Sequence, residues 1–512
     1  MSYHLIDVME RLGHPRLLVV GDLILDRYVW GDAERISQEA PVILLREERQ
    51  ETRLGGAANV ANMLKGLDVP VDLVGVVGAD LDGRALSLDL QRAGIGCAHV
   101  TSDPSRPTTA KIRFMGRAQY RHPHQMLRVD RETRQPIPAG LAGQILRNLL
   151  PKLKDYSAVL ISDYAKGVCT PEIVRPLIDA CRALGLPVIV DPAAGGDYNL
   201  YRHASGVTPN RSETFKATGR EIKSIDDAHA AGRMLVERFE LDMAFVTIDR
   251  DGIVLAKQTG ESVHLPTRPR EVCDITGAGD MVLAMIGLGM AAGIDPVDLC
   301  KLANVAGGLE VEQIGVVPIN RKEILGDLLH GARRAENKVC TLDELTRHVS
   351  ARRKAGQKIV LTNGCFDLLH VGHVSYLQEA GREGDCLIVA INGDDSVRRL
   401  GKGDDRPIFD QQYRSQMLAG LEAVDYVVVF DEDTPHAVLE QIKPDVLVKG
   451  GTYRDEEIVG REVVLSYGGR VKPMGVTAGV STTDIVRRLR AADESISMPI
   501  TMPSAGPQRK AA

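Results

Sequence analysis

Three side chains in this sequence stand where they could do phosphate chemistry: Asp280, His370 and His373. Asp280 closes the string DITGAGD (274–280), which leads into an apolar run. Gly277 and Gly279, on either side of Ala278, let a backbone turn come close to a ligand. The N–H groups of a helix starting there attract negative charge. A carboxylate just inside such a helix can take the proton from a hydroxyl aimed at a phosphoryl group. Phosphoryl transfer asks for little more than that base, positioning and charge neutralisation. Taken alone, GAGD reads more readily as a glycine turn with a capping Asp. There is no Walker A string and no GxGxxG, which leaves P-loop ATPase and dinucleotide-dehydrogenase readings weak.

The histidines fall at i and i+3 in GCFDLLHVGH (364–373), after the strand-like KIVLT. At a helix start that spacing puts both imidazoles on one face. Two donors there could bracket an α-phosphate and stabilise charge as pyrophosphate leaves. Zinc is a competing use, but neither HExxH nor a third ligand is legible, and an isolated HxxH is commonly structural. The two motifs lie about ninety residues apart. Such a distance predicts two nucleotide-using sites on two domains. A basic stretch at 106–134 carries eight Lys/Arg against two acids. It is either a solvated face or a seat for a substrate that already bears a phosphate, held by Lys111, Arg113 or Arg117.

The elements that must hold these residues alternate. Apolar, β-branched runs at 16–21, 71–77, 158–162, 187–190 and 244–248 are separated by helical stretches such as 57–66 and 171–184. That alternation predicts an α/β fold with a mainly parallel sheet covered on both faces. The charged, alternating segment 27–54 predicts exposed strands outside it. A second, smaller alternating unit begins at 358–362 and continues at 386–391, 426–430 and 445–448. The expected domains are 1–325, a charged helical connector at 326–355, a second domain at 356–490, and a disordered tail at 491–512 rich in Ser, Pro and small residues.

At 512 residues, two or three domains are the default. A formal charge of −6, one Trp and seven Phe give no support to a nucleic-acid or polybasic membrane surface. Eight dispersed cysteines without a CxxC pair argue against structural zinc and against a disulfide scaffold. No signal peptide or long uncharged apolar run is legible, so a cytoplasmic protein is expected.

Six segments in order move the reading of the first motif: GDLILDRYVWG (21–31), GGAANVANML (55–64), VGVVGADLDG (74–83), VTPNRSE (207–213), VTIDRDG (246–252) and DITGAGD. Over residues 1–320 the chain resembles the ribokinase-like (PfkB) carbohydrate kinases. The resemblance implies Asp280 as catalytic base and Gly277, Ala278 and Gly279 as the anion hole. It places Asn210, Arg211, Ser212 and Glu213 on the ATP side, and Asp22, Gly55, Gly56 and Asn59 at the sugar, with Lys111 and Arg113 near them. It also implies that 27–54 and part of 105–125 form a β-lid that covers the sugar and builds a homodimer. Mg²⁺ is expected with ATP, and K⁺ is a candidate activator.

From about 345 to 490 the chain resembles the HxGH nucleotidyltransferases of the cytidylyltransferase-like group. The matching segments are CFDLLHVGHVSYL (365–377), KGDDRPI (402–408), QQYRSQML (411–418), LVKGGTY (447–453) and STTDIVRRL (481–489). This implies a Rossmann-like domain in which Gly364, Phe366, Lys402, Arg414, Ser481, Thr482 and Thr483 meet the nucleotide. The order of the two domains is similar to that of the bifunctional ADP-heptose-synthesis family. That family phosphorylates C1 of D-glycero-β-D-manno-heptose 7-phosphate, then transfers AMP from ATP to heptose 1-phosphate. A separate phosphatase acts between the two steps, so no channelling is expected. Thr452 stands where the family pattern has Asp, and TAGVSTTD replaces the usual approach to the STT helix. Another sugar phosphate, with CTP at the second site, is the alternative; a non-catalytic scaffold is the other.

Overall fold

The computed structural model describes residues 2–117, 124–270, 272–313, 315–331, 338–354, 356–401, 406–451 and 454–474. The chain divides into two compact units, Met1–Leu328 and Leu329–Ala512.

The first unit is built on a nine-stranded sheet. Its strands in chain order are β1 (Leu17–Gly21), β4 (Val71–Gly78), β5 (Gly96–Asp103), β8 (Ala158–Ser162), β9 (Val188–Asp191), β10 (Gly206–Val207), β11 (Met243–Thr247), β12 (Ile253–Lys257) and β13 (Ser262–Leu265). In space they run β13-β12-β11-β10-β9-β8-β1-β4-β5. All neighbours are parallel except the pairs β11–β12 and β12–β13. The apolar runs become strands because helices cover both faces; every residue of β1, β4 and β8 is buried. From β1 the chain fills one side of the sheet and then the other, so β1 and β8 flank a topological switch point, where open α/β sheets bind ligands.

The charged segment outside the sheet forms a lid of four strands: β2 (Leu23–Ile36), β3 (Ile43–Gly56), β6 (Thr109–Arg117) and β7 (His124–Arg131), ordered β3-β2-β6-β7. Polar ties fasten its base to the Leu81–Arg92 helix. Arg27 of β2 and Arg131 of β7 both pair with the buried Asp82, and Thr52 of β3 donates to Asp89 at 2.6 Å.

The second unit has five parallel strands: β14 (Ile359–Gly364), β15 (Cys386–Asn392), β16 (Tyr426–Phe430), β17 (Val446–Gly450) and β18 (Arg470–Met474). Their order, β16-β15-β14-β17-β18, puts the switch point between β14 and β17. The Leu342–Lys354 helix, expected within a connector, packs into this unit. Its buried Arg352 donates to the Tyr426 hydroxyl at 3.0 Å and pairs with Asp425 at 3.3 Å. Among the described residues no helix is long and apolar enough to cross a membrane.

Candidate active sites

At the β1/β8 switch point the chain gathers carboxylates. Asp22 follows β1, Asp163 follows β8 and Asp191 ends β9. Asp280 reaches the same place from the Ala278–Ala291 helix, whose N-cap Gly277 has φ +100°, a backbone that favours glycine. A Cβ at Gly279 would meet no protein atom, so this side of the turn is open.

Asp280 is only 5% exposed. Its Oδ2 accepts from Asn59 Nδ2 at 2.6 Å and its Oδ1 from the Tyr164 hydroxyl at 3.0 Å. Burial lifts its pKa to about 6, against the lowering by those two bonds. Such a carboxylate is ionised at neutral pH and close to the value at which a base transfers protons well. Asn59 comes from the Ala57–Gly66 helix, which starts at Gly56 with φ +57°. Asn59, expected at the sugar, is thus a partner of Asp280.

Asp22, expected at the sugar, is engaged by backbone. Its oxygens accept the N–H groups of Tyr164, Lys166 and Val168 at 3.0, 2.9 and 3.0 Å, so it braces the loop after β8. Asp22, Asp163 and Cys169 offer ligand atoms within 4.8 Å of one another. Asp163, however, is held by the Tyr201 hydroxyl at 2.7 Å and the Ala165 N–H at 2.7 Å. Both carboxylates therefore serve the loop. Asp26, in the same string as Asp22, lies close enough to Asp280 to raise its pKa. It is buried, and a Cβ at Gly55 would collide with its Oδ2, so the glycine makes room for it. Tyr164 was missed, having no motif of its own.

Lys111, Arg113 and Arg117 share parity on β6 and hence one face of the lid. Arg113 pairs with Asp26 at 3.0 Å, while Arg117 sits exposed against Glu48 at 2.9 Å. The Lys111 ammonium lies 5.4 Å from the centre of the Tyr164 ring, and burial lowers its pKa. Of the three, Lys111 is the cation placed beside the base.

On the expected ATP side, Asn210 and Glu213 form a reciprocal capping box at the Arg211–Thr218 helix. Burial raises the Glu213 pKa, and Asp191 is raised well above the usual range by burial and by Glu213. Ser212 is exposed beside them. Arg211 is occupied elsewhere: it donates to the Ile222 and Ile248 carbonyls at 3.0 and 3.1 Å and pairs with Asp249 and Asp251. It fixes the loop instead of offering a free charge to ATP.

In the second unit His370 is the N-cap of the Val371–Gly381 helix. Its ring stacks on that of His373, with centroids 3.9 Å apart and planes at 25°. Among the described residues neither Nδ1 has a hydrogen-bond partner. Burial lowers both pKa values, and beside His370 the value for His373 falls to about 4. Phe366, with φ +47°, packs 5.3 Å from His373, and Gly364 leaves room for its ring. Asp367 holds the turn by accepting from the Ile408 and Phe409 N–H groups at 2.7 and 3.2 Å and pairing with Arg406 at 3.1 Å. Across the switch point, Lys449 Nζ donates to the Asn363 carbonyl at 2.8 Å.

Arg414, expected to meet the nucleotide, has its guanidinium engaged within the protein. It is fully buried, donating to the carbonyls of Phe409, Cys365 and Asn392 at 2.9, 2.7 and 2.8 Å and pairing with Asp394 at 2.6 Å. With its fork used this way it braces the motif. Lys402, Thr452, Ser481, Thr482 and Thr483 lie outside the described residues, as does the 491–512 tail.

Comparison with known proteins agrees with this division. Residues 14–322 match the pfkB family carbohydrate kinase model, and residues 361–488 the cytidylyltransferase-like model. Phosphofructokinase-2 from Escherichia coli, in complex with substrates and products, superposes with a TM-score of 0.50 at 17% identity. That match covers 62% of this chain and 99% of that one, and shows the first unit's fold. The bifunctional protein HldE of Geobacter metallireducens is 45% identical, with 92% of this chain and 95% of that one aligned. The HldE of Citrifermentans bemidjiense is 43% identical over 94% of this chain and 97% of its own.

The chain belongs to the bifunctional HldE family. It is a carbohydrate kinase and a nucleotidyltransferase in one polypeptide. The expected pair of activities stands with the family: heptose 7-phosphate kinase and heptose 1-phosphate adenylyltransferase.

Proposed function

We propose that Asp280 is the base of the kinase reaction, taking the proton from the C1 hydroxyl of D-glycero-β-D-manno-heptose 7-phosphate as that oxygen attacks the γ-phosphorus of ATP. The carrying observation is a buried carboxylate at a helix start, held by Asn59 and Tyr164, with its pKa near 6. Asn59 and Tyr164 fix its aim. The N–H groups of 277–279 receive the transferred phosphoryl group, and Lys111 offsets charge gathering beside the base. Asp191, raised by burial and by Glu213, and Glu213, raised by its own burial, are hard oxygen donors suited to Mg²⁺ carried by the nucleotide phosphates. When bound, that ion would neutralise charge on the phosphates.

In the second unit His370 and His373 would donate to the α-phosphate of ATP while the heptose 1-phosphate oxygen attacks in line and pyrophosphate departs. Their unpartnered nitrogens support this reading. ATP and the heptose phosphates are the partners. The lid carries exposed Ile36, Val42, Ile43, Leu44, Leu127 and Val129, a face suited to a homodimer. The location we infer is cytoplasmic. Mass spectrometry of products from heptose 7-phosphate, ATP and Mg²⁺ tests both halves. The bisphosphate should form alone, and ADP-heptose only once a phosphatase removing the 7-phosphate is added. ADP-heptose 7-phosphate without that phosphatase would refute the division of steps.

A further inference from the structure

The Pro296–Glu310 helix ends on a glutamate that none of these steps uses. Glu310 is fully buried, and among the described residues neither carboxylate oxygen has a hydrogen-bond partner of normal geometry. It lies directly behind the phosphoryl turn: a Cβ added at Gly277 would stand 2.6 Å from its Oε1. Among the described residues, the charged groups acting on it are Asp274 in the turn and Asp280 in the helix that follows, both acids. Asp274 is already held by the N–H groups of Thr276 and Gly315 at 3.0 and 3.1 Å. Arg270, which packs on Gly308 of the same helix, is taken by Glu312 and Asp327. Among the described residues, only the Val317 backbone N–H favours ionised Glu310.

A carboxylate in such a place would be costly, and the side chain avoids the cost by keeping its proton. Burial lifts its pKa to about 8. The electrostatics of the turn show why the proton matters. A helix N-terminus is worth about half a positive elementary charge. A whole negative charge just behind it would reverse the field met by an incoming phosphoryl group.

We propose that Glu310 is a positioning residue of the kinase reaction: as an uncharged acid it backs the Gly277 turn, and as a carboxylate it closes that turn to anions. This rests on the reading that the Asp280 turn receives the γ-phosphoryl group. The loss of a single proton, in a residue that touches no substrate, then sets the alkaline limit of kinase activity.

The test is kinase kcat/KM for ATP from pH 6.5 to 9.5, with full-length wild type and Glu310→Gln, an uncharged side chain of the same shape. Wild type should fall by about tenfold per pH unit above roughly pH 8, following loss of one proton. Glu310→Gln should keep its plateau and exceed wild type about tenfold near pH 9. Adenylyltransferase activity of the same preparations should show no such difference. Identical alkaline limbs in the two proteins would overturn the inference. Should Glu310→Gln not fold, the wild type decides. Its calorimetric affinity for a non-hydrolysable ATP analogue should weaken from pH 7 to 9, and a level affinity refutes the idea. Asp280→Asn separates the two readings. Loss of kinase activity there, together with identical alkaline limbs in wild type and Glu310→Gln, rejects only the part given to Glu310, whereas retained activity in Asp280→Asn rejects the site itself.

Discussion

In the kinase unit Asp280 is 5% exposed and already holds two side-chain donors, Asn59 and Tyr164, whereas in the transferase unit His370 and His373 stack on each other and leave both Nδ1 atoms unpartnered. The contrast follows from the two chemistries. A general base must stay ionised while its basicity is raised, so burial lifts its pKa and the two hydrogen bonds keep it from rising too far. A clamp for a phosphate needs donors that nothing else has taken. Burial favours the neutral imidazoles, and the negative charge of a bound nucleotide would favour their protonation.

The largest effect that would break this contrast is at Asp280. Asp280→Asn keeps the shape and removes the proton acceptor, so kinase kcat should fall by roughly 10²–10⁴-fold, the range for general-base catalysis. Adenylyl transfer by the same protein should be unchanged. The two rates, measured on one preparation, test the independence of the sites as well as the base.

Next in size is His373→Ala, with His370→Ala beside it. Each removes one donor to a phosphate that gains charge in the transition state, so adenylyl transfer should drop by about 10²–10³-fold. The kinase should not respond. If the two variants instead unfolded the second unit while its activity per folded molecule held, the histidines would be structural and the comparison would fail.

Arg414→Lys sharpens the account of the second site by separating charge from shape. A lysine keeps the positive charge but cannot reproduce a fork that bonds three carbonyls and a carboxylate. If Arg414 braces the turn, as its full burial indicates, the unit should lose about 1–3 kcal/mol in denaturant unfolding through unsatisfied buried groups. ATP affinity per folded molecule should stay close to wild type. Unchanged stability with weakened ATP binding would return Arg414 to the nucleotide.

The residues that were legible in sequence and those that were not differ in a physical way. Glycines and catalytic groups sit in short strings whose local backbone needs are visible: Gly277 with its positive φ, or His370 and His373 on one helical face. The alternation of apolar runs likewise announces both sheets, since strands covered on two faces must be apolar throughout. Asp22 and Arg414 looked free because a sequence does not show what a side chain bonds across the fold; Asp22 is occupied by backbone 142 to 146 residues away. Tyr164 failed to appear for the converse reason. It lies in no glycine motif, and its contact with Asp280 spans 116 residues. Asp26 lies inside the GDLILDRYVWG segment, yet only the fold shows the room that Gly55 leaves it and its closeness to Asp280.

The smallest predicted effect bears on the balance that sets Asp280 apart from the histidine pair. Its pKa, about 6, is the result of burial pushing up and the Asn59 and Tyr164 bonds pulling down. Tyr164→Phe deletes one of the downward contributions without adding charge, so the pKa should rise. Because the ionised form is the active one, kinase kcat/KM rises with pH through this value in the wild type, and in Tyr164→Phe that limb should move to higher pH. With a shift of half a unit to one unit, activity near pH 6 falls by about two- to fivefold and recovers at higher pH. The sign for stability is the opposite of that for activity. A carboxylate raised from 3.8 to about 6 favours folding most below its unfolded value and loses that contribution as pH climbs through 6. Tyr164→Phe, by raising it further, should steepen the loss of stability between pH 5 and 7. An acid limb at the wild-type position in Tyr164→Phe would show that the hydroxyl does not tune the base, and the balance would then rest on burial and Asn59.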